Sequence, residues 1–338
     1  PELLRAYARV RDRHPATLLL VGPTSPGFDL DRRIQRLGLA NEGLVRESWV
    51  VSLHGLVQTT LDNEDVVPYF LLPSLGSGST LRAYPSWRFR DRHIEISAAE
   101  YVEGMRAGLR VAASRGVTAV HDKDGWIGAL RFWQDLSDLT LRVWQSFPAD
   151  QLDQLAELGM RSGFGSSMLR AGYLKAFMDG TLGSETARLL DGSGVEITSR
   201  AELAEIVRRG AAAGWPVAVH AIGDRANREA LDAFGETREL WAPLGLRQRI
   251  EHAQLLAPED VGRFAELGVA ASVQFSHAPS DRDLADRFWA GKTDGAYAYR
   301  SLWDSGAVVA NGSDAPIEEL DPLAGIVAGV LRTMDERP

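Results

Sequence analysis

The stretch "PVAVHAIGDRA", residues 216–226, opens as a strand, stops that strand on His220, turns through a short loop and starts a helix near Asp224. A β-type run that hands over to a helix in this way is one βα unit of a parallel sheet. Asp224 reads most simply as the cap of the helix. As a neutral imidazole, His220 could hold a divalent metal ion through one ring nitrogen while an acceptor holds the other. Standing alone, it reads first as a hydrogen-bonded histidine at a strand end.

Working outward, the same unit recurs. Strands are predicted near 116–122, 140–147, 171–179, 215–221, 247–253, 268–275 and 307–313, with amphipathic helices between them. The helices over 97–116 and 199–214 each open on serine and close on glycine, which are start and stop signals. Seven strands with crossover helices predict an α/β fold, an incomplete (β/α)8 TIM-like barrel lacking one strand. Functional groups of such barrels sit at the carboxyl ends of the strands.

Four residues occupy those ends: Lys175, His220, His252 and Asp314. Lys175 interrupts the apolar run "YLKAF", where an unpaired ammonium is expensive to bury. It reads either as a lysine whose stem packs while its head reaches out, or as a carbamate or depressed-pKa base. His252 repeats the His220 arrangement one strand later, and two such histidines can converge on one ion. Strand alternation turns its neighbour Glu251 the other way. Asp314, in "ANGSDAP", could ligate a metal and take a proton from bound water, or serve as a turn aspartate.

Composition sets the class of chemistry. The 338 residues are 45% hydrophobic and 25% charged with net charge −9, which points away from nucleic acid and anionic membrane and toward a small-molecule partner. The absence of cysteine removes disulfides, thiolate nucleophiles and zinc-cysteine sites. No apolar run reaches the length of a membrane helix, and no signal-peptide pattern opens the chain, so a cytoplasmic enzyme is expected, with a homo-oligomer allowed. The opening "PELLRAYARV" starts inside a helical pattern and reads as a fragment.

Residues 96–338 resemble the amidohydrolase superfamily, in the amidohydrolase family 3 branch that includes N-substituted formamide deformylase-like enzymes. The matching strings are "YLKAFMDGTLGSETA" (173–187), "VAVHAIGDRA" (217–226), "RIEHAQ" (249–254) and "NGSDAP" (311–316). The resemblance implies a metal-dependent hydrolase barrel represented by its strands 2–8, with one or two divalent ions, zinc by preference. It makes Lys175 the counterpart of a metal-bridging carbamylated lysine, His220 and His252 metal ligands, and Asp314 both ligand and general base. The implied reaction is attack of a metal-activated water on a non-peptide amide, N-acyl or N-formyl bond. It also places Asp122 of "HDKDGW", Asp179 and Glu185 of "DGTLGSE", and His277 of "QFSHAP" on the substrate side. Phe275 stands where the family often has proline. The family's first-strand His-x-His pair has no counterpart among the seven histidines; "SPGFDLD" (25–31) mimics its lead-in, with Asp29 and Asp31 near where the histidines would be, but is not assigned to that strand.

The preceding residues have another character. Residues 1–50 resemble a helix-strand-helix piece of a glycosyltransferase with two Rossmann-like domains, on "PELLRAYARVRDRHPATLLLVGPTSPGFDLDRRIQRLGL". Residues 51–95 form a β-rich arm in which "FLLPSLGSGSTLRAYPSWRFRDRH" resembles late strands of an outer-membrane surface-antigen barrel. Three partial resemblances in succession predict a composite chain. The alternatives to a working hydrolase are therefore an inactive composite with a partial metal site and a sugar-nucleotide-binding module.

Overall fold

The computed structural model describes residues 18–21, 44–47, 97–123, 129–136 and 138–333, which fall in two units. In the first, β1 (Leu18–Val21) and β2 (Leu44–Glu47) pair in parallel with Leu18 opposite Leu44. Strand β1 falls in the strand segment of the helix-strand-helix piece read over 1–50. The helices expected beside it, the arm over 51–95 and residues 124–126 of "HDKDGW" lie outside the described residues.

The second unit is a parallel sheet in sequential order. Its strands are β3 (Ala119–Asp122), β4 (Arg142–Pro148), β5 (Leu169–Phe177), β6 (Val217–Ala221), β7 (Arg249–His252), β8 (Ala270–Val273) and β9 (Val308–Asn311). All seven strands read from the sequence are present. Helices α1 (Ala98–Ser114), α2 (Ala129–Asp135), α3 (Leu152–Glu157), α4 (Arg200–Ala213), α5 (Asp224–Glu236), α6 (Pro258–Leu267), α7 (Tyr299–Asp304) and α8 (Pro322–Leu331) alternate with them. An unreversed parallel order with crossover helices is that of a (β/α) barrel, here incomplete, with β3 and β9 as its two edges. No helix among the described residues is long and apolar enough to cross a membrane.

Period-2 alternation sorts the side chains of the central strands between two faces. Leu174 and Ala176 of β5, Val217 and Val219 of β6, Ile250 of β7 and Ala271 and Val273 of β8 join the apolar core with Leu203, Val207, Leu231, Phe234 and Phe264 of the helices. The intervening residues Tyr173, Lys175, Ala218, His220, Arg249, Glu251 and Ser272 are thereby given to the inner face. The strand ends are thus polar because the alternation that fills the core leaves them on the side of the site.

The expected caps of α1 and α4 are full capping boxes, Ser97 with Glu100 and Ser199 with Glu202, and α4 stops on Gly214 at φ 81°. Helix α5 departs from expectation. Its cap is Gly223, and Asp224 is its first residue, with Oδ1 accepting from the backbone N–H groups of Leu190 and Arg225 at 2.8 and 2.9 Å. Helix α8 leaves Leu323, Ile326, Val327 and Val330 exposed, a stripe at i, i+3, i+4 and i+7.

Candidate functional site

The carboxyl ends of β5, β6, β7 and β9 bring together most of the residues read from the sequence. His220 is the penultimate residue of the fully buried strand β6, and its ring centroid lies 4.5 Å from that of His252, edge to face. His252 in turn faces His277 at 6.0 Å with the two rings nearly parallel. His277 Nε2 lies 4.0 Å from Asp314 Oδ2. Lys175, only 5% exposed, sets its Nζ 4.3 Å above the Phe177 ring. The order along the ends is therefore Lys175, His220, His252, His277, Asp314.

Hydrogen bonds fix how the first two imidazoles present their nitrogens. His220 Nε2 lies 2.8 Å from the Gly180 carbonyl oxygen, which can only accept, so Nε2 carries the proton and Nδ1 is bare. His252 Nδ1 lies 2.8 Å from Gln274 Oε1, which leaves its Nε2 bare. Both rings are neutral. Burial pushes His220 down to about 3, with the Lys175 charge acting the same way and Gly180 and Glu251 opposing. Burial, then His220, Lys175 and His277, hold His252 well below its ordinary value against Glu251. His277 is also lowered by burial, and neither of its buried ring nitrogens has a hydrogen-bond partner among the described residues.

The two charged groups are shifted toward neutrality. Burial pushes the Lys175 ammonium down to about 8, against the pull of Glu251 and Asp314. Its low-polarity surroundings push the Asp314 carboxyl up to about 6, with Lys175 opposing and Glu251 and Glu318 assisting. Asp314 keeps 40% of its side chain exposed, so solvent screens the charges around it. Its backbone adopts φ 55°, a left-handed conformation rare outside glycine, asparagine and aspartate.

Glu251 corrects a sequence expectation. It does not face away from His252: its carboxylate lies on the inner face, 3.1 Å from Lys123 Nζ and 2.9 Å from Arg249 Nη2. The alternation rule assumes β-region backbone throughout, whereas His252 and Ala253 have φ of 76° and 45°, which swings the His252 ring round beside His220. Arg249 also donates to Ser272 Oγ at 2.7 Å and contacts His121 Nδ1 at 3.1 Å, and its guanidinium lies over the Tyr173 ring. Lys123, just past β3, is pushed down to about 7 by burial against the attraction of Glu251. Sequence reading missed this layer. The available signal was Arg249, a cation two residues before Glu251 in a period-2 strand and so on the same face.

The substrate-side candidates are dispersed. Asp122 Oδ2 accepts from Trp133 Nε1 of α2 at 2.9 Å. Glu185 is exposed on a turn at φ 54°. Asp179 is 1% exposed, and its two oxygens accept from the backbone N–H groups of Ile222, Gly223 and Arg188 at 3.0, 2.8 and 2.8 Å. Of these four, His277 sits among the strand-end groups and Asp179 lies beside them, its Oδ1 3.6 Å from His220 Nε2.

The donor set can be tested for a metal ion. Neutral imidazoles, each with one nitrogen held by an acceptor and the other bare, have the chemistry of metal ligands. His220 and His252 meet that condition. Among the described residues, however, no three His, Asp or Glu side chains come close enough to close around an ion.

Comparison with known proteins gives a consistent picture. The profile of the Amidohydrolase family matches residues 81–337. The chain is 32% identical over 261 residues to Protein LONG AFTER FAR-RED 3 of Arabidopsis thaliana, covering 70% of this chain and 45% of that protein. Among solved structures it is similar to an uncharacterized metal-dependent hydrolase of Pyrococcus horikoshii, with TM-score 0.63 and 27% identity over 74% of this chain and 52% of that one. A second such hydrolase, from Pyrococcus furiosus, shares the fold with TM-score 0.68 and 24% identity, over 96% and 70% of the two chains. The chain thus spans less than half the length of its plant relative.

Proposed function

The chain belongs to the amidohydrolase family, and from that premise we propose that it hydrolyses carbon–nitrogen bonds of a small molecule, a non-peptide amide or an N-acyl or N-formyl group. The observation that carries this reading is the meeting of His220 and His252 at adjacent strand ends, each neutral and each with one bare nitrogen. In this reading His220 and His252 hold a divalent ion, zinc being favoured by imidazole donors, with Lys175 as a carbamate and Asp314 completing the set. When bound, such an ion supplies an acidified water and polarises a carbonyl oxygen.

The chain's own groups have stated tasks. Asp314 takes up a proton at Oδ2 and passes it to the leaving nitrogen, a role suited to a carboxyl raised toward neutral pH. His277 stands beside it as a substrate or oxyanion contact, its buried nitrogens having no hydrogen-bond partner among the described residues. Gly180 and Gln274 hold the orientation of the two ligating rings.

The test is metal content by mass spectrometry together with hydrolysis of N-acyl and N-formyl amines by the zinc-loaded full chain. Stoichiometric zinc and turnover that falls about 10²- to 10⁴-fold in Asp314→Asn is the expected result. Folded, zinc-loaded protein that turns over none of these substrates would overturn the reading. A second reading, a family scaffold with a partial site and no turnover, is favoured by the lack of a closed three-ligand group among the described residues. It requires sub-stoichiometric zinc in the same experiment.

A further inference from the structure

Asp179 joins three separate pieces of backbone with one carboxylate. It lies two residues beyond β5, receives Arg188 N–H from the returning loop, and receives Ile222 and Gly223 N–H from the turn after β6. The junction is tight. A Cβ at residue 223 would run into the Arg188 carbonyl oxygen, and one at residue 180 into the Thr186 side chain. The next residue, Gly180, supplies the carbonyl that is the acceptor for His220 Nε2. Asp179 Oδ1 itself lies 3.6 Å from that nitrogen, beyond a hydrogen bond.

We propose that Asp179 is a positioning residue for His220: by tying these turns together it keeps the Gly180 carbonyl on Nε2, so that the proton stays there and Nδ1 remains bare. This assigns Asp179 a task other than substrate contact, since its carboxylate is 1% exposed and already accepts three backbone N–H groups. The inference deepens the hydrolase reading by naming what orients one of its ligands, and rests on it only for the use made of Nδ1. A carboxylate that merely stabilised the loops would leave the His220 tautomer unchanged when altered.

The tautomer is read directly by long-range proton–nitrogen correlation spectra of the full chain with ¹⁵N-labelled histidine, with and without EDTA, at a pH where His220 is neutral. Wild type is expected to show the Nε2–H form of His220. In Asp179→Asn, whose amide cannot accept three N–H groups, a mixed population is expected, with zinc binding weaker by about 10- to 100-fold. Asp224→Asn is the control. It loses a carboxylate that holds Leu190 N–H in the same region and should keep the wild-type tautomer. An Nδ1–H form in wild type, or an unchanged tautomer in folded Asp179→Asn, overturns the proposal. Should that variant not fold, Asp179→Glu is read in the same way, and failure of both to fold overturns positioning in favour of a purely structural role. None of these readings depends on turnover, so an inactive protein leaves the proposal decidable.

Discussion

Buried Glu251 serves two partly buried cations with one carboxylate, Lys123 at 3.1 Å and Arg249 at 2.9 Å. Removing one partner of a buried ionic group leaves the others uncompensated, so Glu251→Gln should destabilise the fold by about 3 kcal/mol, measured by urea denaturation. The site histidines make stability depend on pH. The His220 imidazole falls from 6.5 to about 3 on folding. The unfolded chain therefore binds the extra proton between those values, and the contribution is full above about 6.5 and is lost as pH falls toward about 3. His220→Asn should show a shallower loss of stability over that window than wild type, in urea titrations repeated at each pH. Lys175, His220 and Asp314 were legible because each breaks an apolar or small-residue run at the end of a strand, and His252 because it repeats the His220 position one strand later. Glu251 was not, because the positive φ of His252 has no signature in residue type.

At the scale of elements, local signals sufficed where local physics decides. The capping box Ser199–Glu202 and the left-handed Gly214 fix both ends of α4, and each is written in the residues concerned. Ser199→Ala should cost about 1 kcal/mol, read as a lowered denaturation midpoint at unchanged slope. The start of α5 misled because Asp224 looks like a cap, whereas its side chain is drawn off by the Leu190 N–H from a loop distant in sequence. Tertiary partners of that kind lie beyond any local pattern. Gly223, the true cap, has an ordinary φ of −72°, and its requirement is space beside Arg188. Gly223→Ala should therefore disturb the turn more than Ser199→Ala disturbs α4, and the loss should appear in the same denaturation series and in the His220 spectrum.

Across the molecule, the order of the sheet predicts a gradient of protection. Strand β6 is buried along its whole length and hydrogen-bonded on both sides, while β3 and β9 are edges with exposed residues. Amide hydrogen exchange should be slowest in β5, β6 and β7 and fastest in β3 and β9. Uniform protection across the seven strands would contradict the open order. The α/β alternation made this architecture legible, since strand count and crossover helices are both properties of sequence. The exposed stripe of α8 was not foreseen, because "PLAGIVAGVL" is apolar on every side and carries no polar face to mark the outside.

The inner face of this sheet carries Lys123, Lys175, Arg249 and Glu251 where a barrel interior is commonly filled with branched aliphatic residues. That substitution has a thermal consequence. Hydrophobic stabilisation per unit area levels off on heating, whereas the penalty for keeping charges out of water falls, because ion hydration becomes less favourable as temperature rises. The layer beneath the site should therefore hold better, relative to the apolar core around it, in a warm protein than in a cold one.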